Sequence, residues 1–447
     1  MASAPVAMAP VSDAGRPPFR AADVEALVHD LAGILGEGGV STAPRALARA
    51  SKDGSGMSPI LTAQQPLGAP DLVCCPKSAH QVPDVVRAAV RRGVPITTRG
   101  KGTGNYGQAV PRYGGLVIDM TGLTTISALG DGYVTAEAGA RMITLERAAW
   151  DAGQQLWMYP STAQSTLGGF VAGGSAGTGT IVHGRNHMGF VDSLDVVYAH
   201  DDAEIVHLAG DDAQPMVHTY GVAGIIVRAT VQLEPLQDWR CVYASFASHH
   251  DAFAAAVHVR GVSPQPRLCS ADTVTMSAHL PTDDAIPRGR ASLRTIVDSA
   301  VVDEISGIVE ACGGRVEAVR SGLQDTLRAS MLSYNHPTWW MQKAEPDTWF
   351  HMEVQGDALV ERLDEVEAVY EDGMLHLEVG YGHMFGMLNG RYRDPQQVYD
   401  GVAQLEALGV AVHSPHQSYV DRDADRIRTL AAQTDPRGLL NPGRWLS

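Results

Sequence analysis

Two glycine-rich stretches hold the residues best suited to grip an anion. The first is Thr98-Arg99-Gly100-Lys101-Gly102-Thr103-Gly104-Asn105-Tyr106-Gly107-Gln108. It follows Val94-Pro95-Ile96-Thr97, which reads as a short strand. Successive peptide N–H groups in such a loop form a concave nest for phosphate oxygens, and glycine removes the side chains that would block approach. Arg99 and Lys101 add positive charge. Gly102, Gly104 and Gly107 have the GxGxxG spacing of a dinucleotide fold. That fold needs a helix directly afterwards, and Pro111, Gly114 and Gly115 forbid one. Taken alone, the loop could equally be a plain glycine turn. The second stretch lies about 60 residues on. It contains Pro160, Ser161, Thr162, Ser165, Thr166, Gly168, Gly169, Gly173, Gly174, Ser175 and Gly177, and ends at His183-Gly184. Hydroxyl groups interleaved with glycine offer O–H and N–H donors along an extended ligand without bulk. Two such loops joined by strands suit a long ligand that carries a diphosphate. The competing reading is a structural glycine crossover.

Groups able to take or give a proton cluster elsewhere. Tyr334, Asn335, His336, Pro337, Trp339 and Trp340 form a polar, rigid and aromatic segment. Tyr381-Gly382-His383 follows, then His413-Ser414-Pro415-His416-Gln417-Ser418-Tyr419. Histidine and tyrosine are common general bases, and His336 and His416 lead, with Tyr334, Tyr419 and His383 behind them. Each histidine could instead be an ordinary packed one. Trp339 and Trp340 could stack on an aromatic substrate or fill a core. Arg328, Arg391 and Arg393 could bind a carboxylate or simply be solvated.

These groups need a scaffold. Val24, Leu27, Val28, Leu31, Ile34 and Leu35 recur at helical spacing from Ala21, with Gly36 to stop the helix. Ser78 and Gln81 have capping-box spacing ahead of a helix over about 79–92, which Gly93 ends. Residues 115–120, 133–138, 194–198, 204–208 and 225–233 read as strands, and 141–152 as a helix. After Pro235 glycine thins out, and candidate helices fall at 299–312, 322–331, 357–368 and 396–408. The whole is an α+β pattern with a second domain beginning near 236.

Composition bounds the answer. The chain has 447 residues, 45% of them hydrophobic, enough for two or three globular domains. A net charge of -16 argues against nucleic acid as a partner. The five cysteines lack a CxxC pair, so they suggest neither a zinc site nor a disulfide framework. With no secretory pattern in MASAPVAMAPVSDAGRPP and no apolar run of spanning length, the expectation is a cytoplasmic protein without membrane insertion.

Arg99–Gln108 with Ala109-Val110-Pro111 and Gly115–Met120 resembles the FAD-binding segment of the vanillyl-alcohol oxidase and p-cresol methylhydroxylase superfamily. Tyr220–Leu233 resembles the strand that closes that domain, and Asp435–Gly443 resembles its C-terminal signature. The resemblance covers about 70–235 and 430–447, and is loose between them. It implies an α+β protein with a bipartite FAD-binding domain (PCMH-type) and an α+β cap over the flavin. The expected layout is a disordered lead over 1–20, a two-part FAD domain over 21–235, a cap over 236–425, and a segment over 426–447 that returns to the FAD domain. The resemblance further implies FAD contacts from Arg99, Gly100, Lys101, Gly102, Thr103, Gly104, Pro160, Ser161, Thr166, Gly168, Gly169, Gly173, Gly174, Gly177, Ile226 and Asn441. Covalent members place a histidine where this chain has Thr103, so the flavin is expected to be non-covalent. Members with a metal carry GHxGDGNxH and a later EHG. Here Gly382–Asn389 lacks the second histidine, and Ser414-Pro415-His416-Gln417 lacks the glutamate, so no metal is expected.

On this basis the chain is an FAD-dependent oxidoreductase. It would remove hydride from a small alcohol, hydroxy acid or phenol and pass electrons to oxygen or another acceptor. Two alternatives stand: a tailoring oxidase or cyclase, and an FAD subunit reliant on an electron-accepting partner. A homo-oligomer is compatible with each.

Overall fold

The structure, a computed structural model, describes residues 17–65, 67–413, 416–420 and 422–445. Most of the expected disordered lead (1–16) lies outside the described residues. The first helix, Ala21–Leu35, starts where Arg20 N donates to Asp23 Oδ2 at 2.9 Å, and it ends at Gly36, whose φ of 75° suits glycine.

Two sheets and one continuous core make up the N-terminal half. In the first sheet Leu72–Cys74 and Ile96–Arg99 flank Leu116–Asp119 in parallel. The unbroken apolar run Leu116-Val117-Ile118 suits a strand buried on both faces. The helix Val82–Arg92 covers it and stops at Gly93 (φ 66°). The second sheet is antiparallel, in the order Ile126–Gly130, Tyr133–Glu137, Ile225–Pro235, Val191–Val197, Ile205–Ala209. The predicted strands fall within a few residues of these elements. The second glycine stretch, however, contains a short helix, Leu167–Gly173, capped by Thr166. It forms because Gly168 lets its backbone press on Ala138, which a loop reading of the same glycines does not anticipate.

An antiparallel eight-stranded sheet begins at Trp239. Its order is Arg315–Ser321, Trp239–Phe246, Ala291–Asp298, Leu268–Asp272, Met374–Val379, Met384–Arg391, Trp349–Gln355, Ala411–His413. Side chains alternate between its faces. Val242, Ala244, Phe246, Leu293, Ala271, Leu375, Leu377, Leu388, Met352 and Val354 face one way, into a core shared with the helices His249–Arg260 and Val302–Ala311. Arg294, Asp272, His376, Glu378, Phe385, Met387, His351 and Glu353 share the other face, which turns toward the glycine loops.

Of the expected helices in this half, 322–331 and 396–408 match Leu323–Met331 and Pro395–Ala407. The expected 357–368 helix is broken at Arg362 into Ala358–Glu361 and Leu363–Glu367. His249–Arg260 gives little amphipathic contrast because alanine fills its interior, and the sequence reading passed over it. His336–Ala344, read above as a pocket wall, is a helix with Pro337 in its first turn.

The chain then returns to the N-terminal half. Leu430 and Ala431 of the helix Ala424–Thr434 pack on the first core. Ile96 N donates to Leu439 O, and Asn441 N to Ile96 O, both at 2.7 Å, so the last segment extends the first sheet.

Candidate functional site

A cleft of about 310 Å³ runs between the two halves. Its first wall is built from the two glycine stretches and Tyr220, Gly221, Gly224 and Ile226; its second is Tyr334, Asn335, Glu353, Phe385, Met387 and His413. The glycine loops meet directly, with Thr103 Oγ1 and Ser165 Oγ 2.8 Å apart. Gly104 and Gly173 leave the wall bare: a Cβ on either would find no atom closer than 3.6 Å. Three non-glycine residues at the cleft, His218, Tyr220 and Tyr334, hold left-handed backbone angles (φ 61°, 52° and 59°). Such strain persists where surrounding structure fixes the chain, and it concentrates at functional sites.

The first wall is braced from behind. Asn441 Nδ2 donates to Gln108 O at 2.9 Å and to Tyr220 O at 2.8 Å. Arg444 is fully buried and donates to Asn441 Oδ1 (3.1 Å) and to Val110 O. Burial pulls its guanidinium down to about 9. The Arg99 guanidinium donates to Lys52 O and Ala109 O, so it shapes the first loop more than it charges the cleft.

Residues 70–209 match the family described as FAD binding domain. Decaprenylphosphoryl-β-D-ribose oxidase of Mycolicibacterium smegmatis is 32% identical over 164 residues, 34% of this chain and 34% of that protein. D-lactate dehydrogenase of Archaeoglobus fulgidus is 27% identical over 199 residues, 42% of this chain and 44% of that protein. The chain thus spans less than half the length of either curated relative. A solved alkyldihydroxyacetonephosphate synthase shares the fold over 95% of this chain and 87% of its own, with a TM-score of 0.74 at 15% identity. The chain therefore carries an FAD binding domain over residues 70–209 and is similar to FAD-linked oxidoreductases.

The residues present fit FAD in this flavoprotein. Bare backbone at Gly104 and Gly173 and the hydroxyls of Thr103, Ser161, Ser165 and Ser175 line one continuous wall. Arg99, Gly100, Lys101, Gly102, Thr103, Gly104, Pro160, Ser161, Thr166, Gly168, Gly169, Gly173, Gly174 and Ile226 all line the cleft. Gly177 does not. A Cβ there would lie 2.1 Å from Tyr159 O, so glycine serves close packing behind the wall. Asn441 likewise stands behind the wall as the brace described above.

The proton-transfer candidates are dispersed. Tyr334 lines the cleft, and its backbone N–H donates to Glu378 Oε1 at 2.6 Å. His336 stands just outside the lining, with Nε2 3.5 Å from Thr162 Oγ1 on the first wall and Nδ1 buried. Burial of the ring pulls it down to about 4. His416 is fully buried outside the lining, with Nδ1 2.7 Å from Ser58 Oγ. Tyr419 sits outside the lining beneath Arg112. His383 occupies the turn between Met374–Val379 and Met384–Arg391, also away from the cleft. Among the described residues no group of three His, Cys, Asp or Glu side chains is arranged so that it could hold a metal ion. Trp339 and Trp340 pack edge to face under Lys343, away from the cleft.

Sequence reasoning missed Glu353, Phe385 and Met387 on the second wall. It placed His413 in a cluster but gave it no role. Period-2 alternation in 349–355 and 384–391 was the available signal. It also missed a fully buried line of charge on the same face. His376 Nδ1 lies 2.7 Å from Asp272 Oδ1, its Nε2 lies 2.7 Å from Glu378 Oε1, and Arg294 donates to Asp272. Burial opposes charge on His376, but Asp272 and Glu378 outweigh it and hold it up to about 9. Burial instead pulls His351 down to about 4 and His416 to about 3.

These shifts fix a pH dependence of stability. A histidine raised above its unfolded value of about 6.5 contributes fully below that pH, and the contribution is lost as pH rises through the folded value. A histidine buried neutral contributes above about 6.5 and loses that contribution as pH falls. The thermal midpoint is therefore expected to peak near pH 6.5. It should decline toward pH 9 through His376 and toward pH 4 through His351 and His416. His376→Gln should flatten the alkaline decline and leave the acid one. An unchanged alkaline slope would remove His376 as its source.

Proposed function

We propose that this flavoprotein oxidises a carbon bearing a hydroxyl group to a carbonyl, in the chamber between the glycine loops and the cap sheet. The observation that carries the reading is the two-walled cleft, with a bare glycine wall facing a wall of polar and aromatic side chains from the cap. Bound FAD supplies the acceptor for the hydride that leaves the carbon. The O–H proton passes by way of the Thr162 hydroxyl to His336, whose Nε2 lies 3.5 Å from Thr162 Oγ1 behind the lining and whose imidazole stays neutral at pH 7. Tyr334, fixed by Glu378, orients the hydroxyl group. The relatives' names support alcohol and hydroxy-acid chemistry as the range to search.

His336→Gln should retain flavin but slow its anaerobic reduction by substrate about 100-fold, the usual effect of a lost general base. Stopped-flow reduction at the wild-type rate would remove His336 from the role. We also propose that FAD is held without a covalent bond. Thr103 stands at the position of the linking histidine, engaged with Ser165, and no cysteine lines the cleft. Acid precipitation should release all yellow colour. Colour left on the denatured protein would point to His413 or His218, the histidines on the cleft walls.

A further inference from the structure

Four buried charges alternate in sign on the sheet face that bears the second wall of the cleft. Arg294, Asp272, His376 and Glu378 lie on three neighbouring strands, and none is more than 1% exposed. Arg294 donates to Ser292 Oγ (2.6 Å), to Ser270 Oγ (3.0 Å) and to Asp272. His376 bridges two carboxylates, with Nδ1 2.7 Å from Asp272 Oδ1 and Nε2 2.7 Å from Glu378 Oε1. A neutral imidazole has one N–H, and an ionised carboxylate only accepts, so satisfying both contacts takes the doubly protonated ring. The row is then neutral as a whole, as buried charges must be. Burial opposes the charge on His376, but Asp272 and Glu378 outweigh it and hold the ring up to about 9. The further titratable groups that interact with His376 and Glu378 are Tyr334 and His336, from the segment packed on them, and Cys269 on the adjacent strand.

The row ends on the backbone of a cleft residue. Glu378 Oε1 accepts from Tyr334 N at 2.6 Å as well as from His376. Tyr334 sits in the short turn between the helices Leu323–Met331 and His336–Ala344, with a left-handed φ of 59° that a non-glycine residue keeps only where its surroundings fix it. Tyr334 and Asn335 line the cleft, and so do Phe385 and Met387, the register partners of Glu378 and His376. Neither His376 nor Glu378 lines it. We propose that His376 is a positioning residue: held between Asp272 and Glu378, it aims the Glu378 carboxylate at the Tyr334 N–H and so sets where Tyr334 and Asn335 stand in the cleft. This role presupposes that the cleft is the reaction chamber of the flavoprotein. Well-packed apolar side chains would stabilise the sheet as well as a buried ion row does. What the row adds is direction, because a carboxylate gripped by a charged donor has a defined orientation.

The test places 4-fluorophenylalanine at Phe385, whose ring lies 6.1 Å from that of Tyr334 and carries no titratable group, and follows its fluorine resonance in the flavin-loaded protein. With the row intact, the signal should be single at pH 7 and should shift with a midpoint near pH 9, as His376 loses a proton and with it one of its two carboxylate contacts. His376→Gln should displace the pH 7 signal and abolish the alkaline step. Glu378→Leu should displace it too, and adding His376→Gln to Glu378→Leu should move it no further, because His376 acts through Glu378. A general loosening of the fold would give additive displacements instead. A step near pH 9 that survives His376→Gln would overturn the proposal, and so would additive displacements in the double variant. The absence of any alkaline step with the row intact would overturn it without a variant having to fold. Failure of the underlying reading looks different: the fluorine signal would ignore removal of the flavin.

Discussion

Valine at position 173 or 104 should give a folded protein that no longer holds FAD. Both glycines line the cleft, and a Cβ at either would sit at least 3.6 Å from any protein atom. Neither needs a left-handed φ. The apoprotein therefore tolerates the side chain, while a ligand that lies against bare backbone does not. We expect FAD affinity to fall by about 100-fold or more, since one misplaced branched side chain removes several contacts at once. Gly168→Val and Gly102→Val provide the contrast. At 168 the new Cβ would meet Ala138 Cβ at 2.7 Å, where the helix Leu167–Gly173 packs on its neighbour. At 102 the backbone is left-handed and the new Cβ would collide with the Arg99 side chain. Those two variants should lose stability together with flavin. The check is the flavin-to-protein absorbance ratio beside a melting curve. Full occupancy in both Gly173→Val and Gly104→Val would refute the placement of FAD along this wall.

Removing Arg267 should cost about 3–5 kcal/mol of stability. This arginine belongs to the second half but sends its guanidinium into the first, where it donates to Glu146 Oε1 at 2.9 Å and to Leu156 O at 2.7 Å. It also lies over the rings of Tyr159 and Trp239. Glu146 in turn accepts from Trp150 Nε1 (3.0 Å) and Leu156 N (2.9 Å), and both members of the pair are essentially inaccessible to solvent. A buried pair contributes little compared with a well-packed apolar pair, but one member left alone is an uncompensated charge in a poorly polarisable interior. Arg267→Leu and Glu146→Leu should each lower the thermal midpoint by roughly 10 °C. The double variant should recover part of that loss, because it strands no charge. A single-variant loss under about 1 kcal/mol would mean that the pair does not hold the two halves together.

The glycine loops, the closing strand and the C-terminal segment were legible in the sequence because their chemistry is local. A phosphate nest, a helix stop at Gly93 and a strand run such as Leu116–Ile118 each depend on a few consecutive residues. The α+β class and a long ligand carrying a diphosphate follow from those, and FAD from the family resemblance they carry. The order in which strands pair was not legible. Alternation shows that His351 and Glu353 share a face, but it cannot say which strand lies beside them or what that face looks at. The tertiary structure places Ala411–His413 next to Trp349–Gln355, so Glu353 meets His413 across about 60 residues of chain. It pairs Leu268–Asp272 with Met374–Val379, which brings His376 onto Asp272. The same pairing order turns His416 inward to Ser58 and leaves His383 in a turn, although both resemble Tyr334 and His336 in type and local setting. Residue type and spacing therefore determined the diphosphate-binding loops and carried the resemblance that implies the cofactor. Burial and cross-strand register, which are properties of segments far apart in the chain, decided which polar side chains face it and what charge the second wall carries.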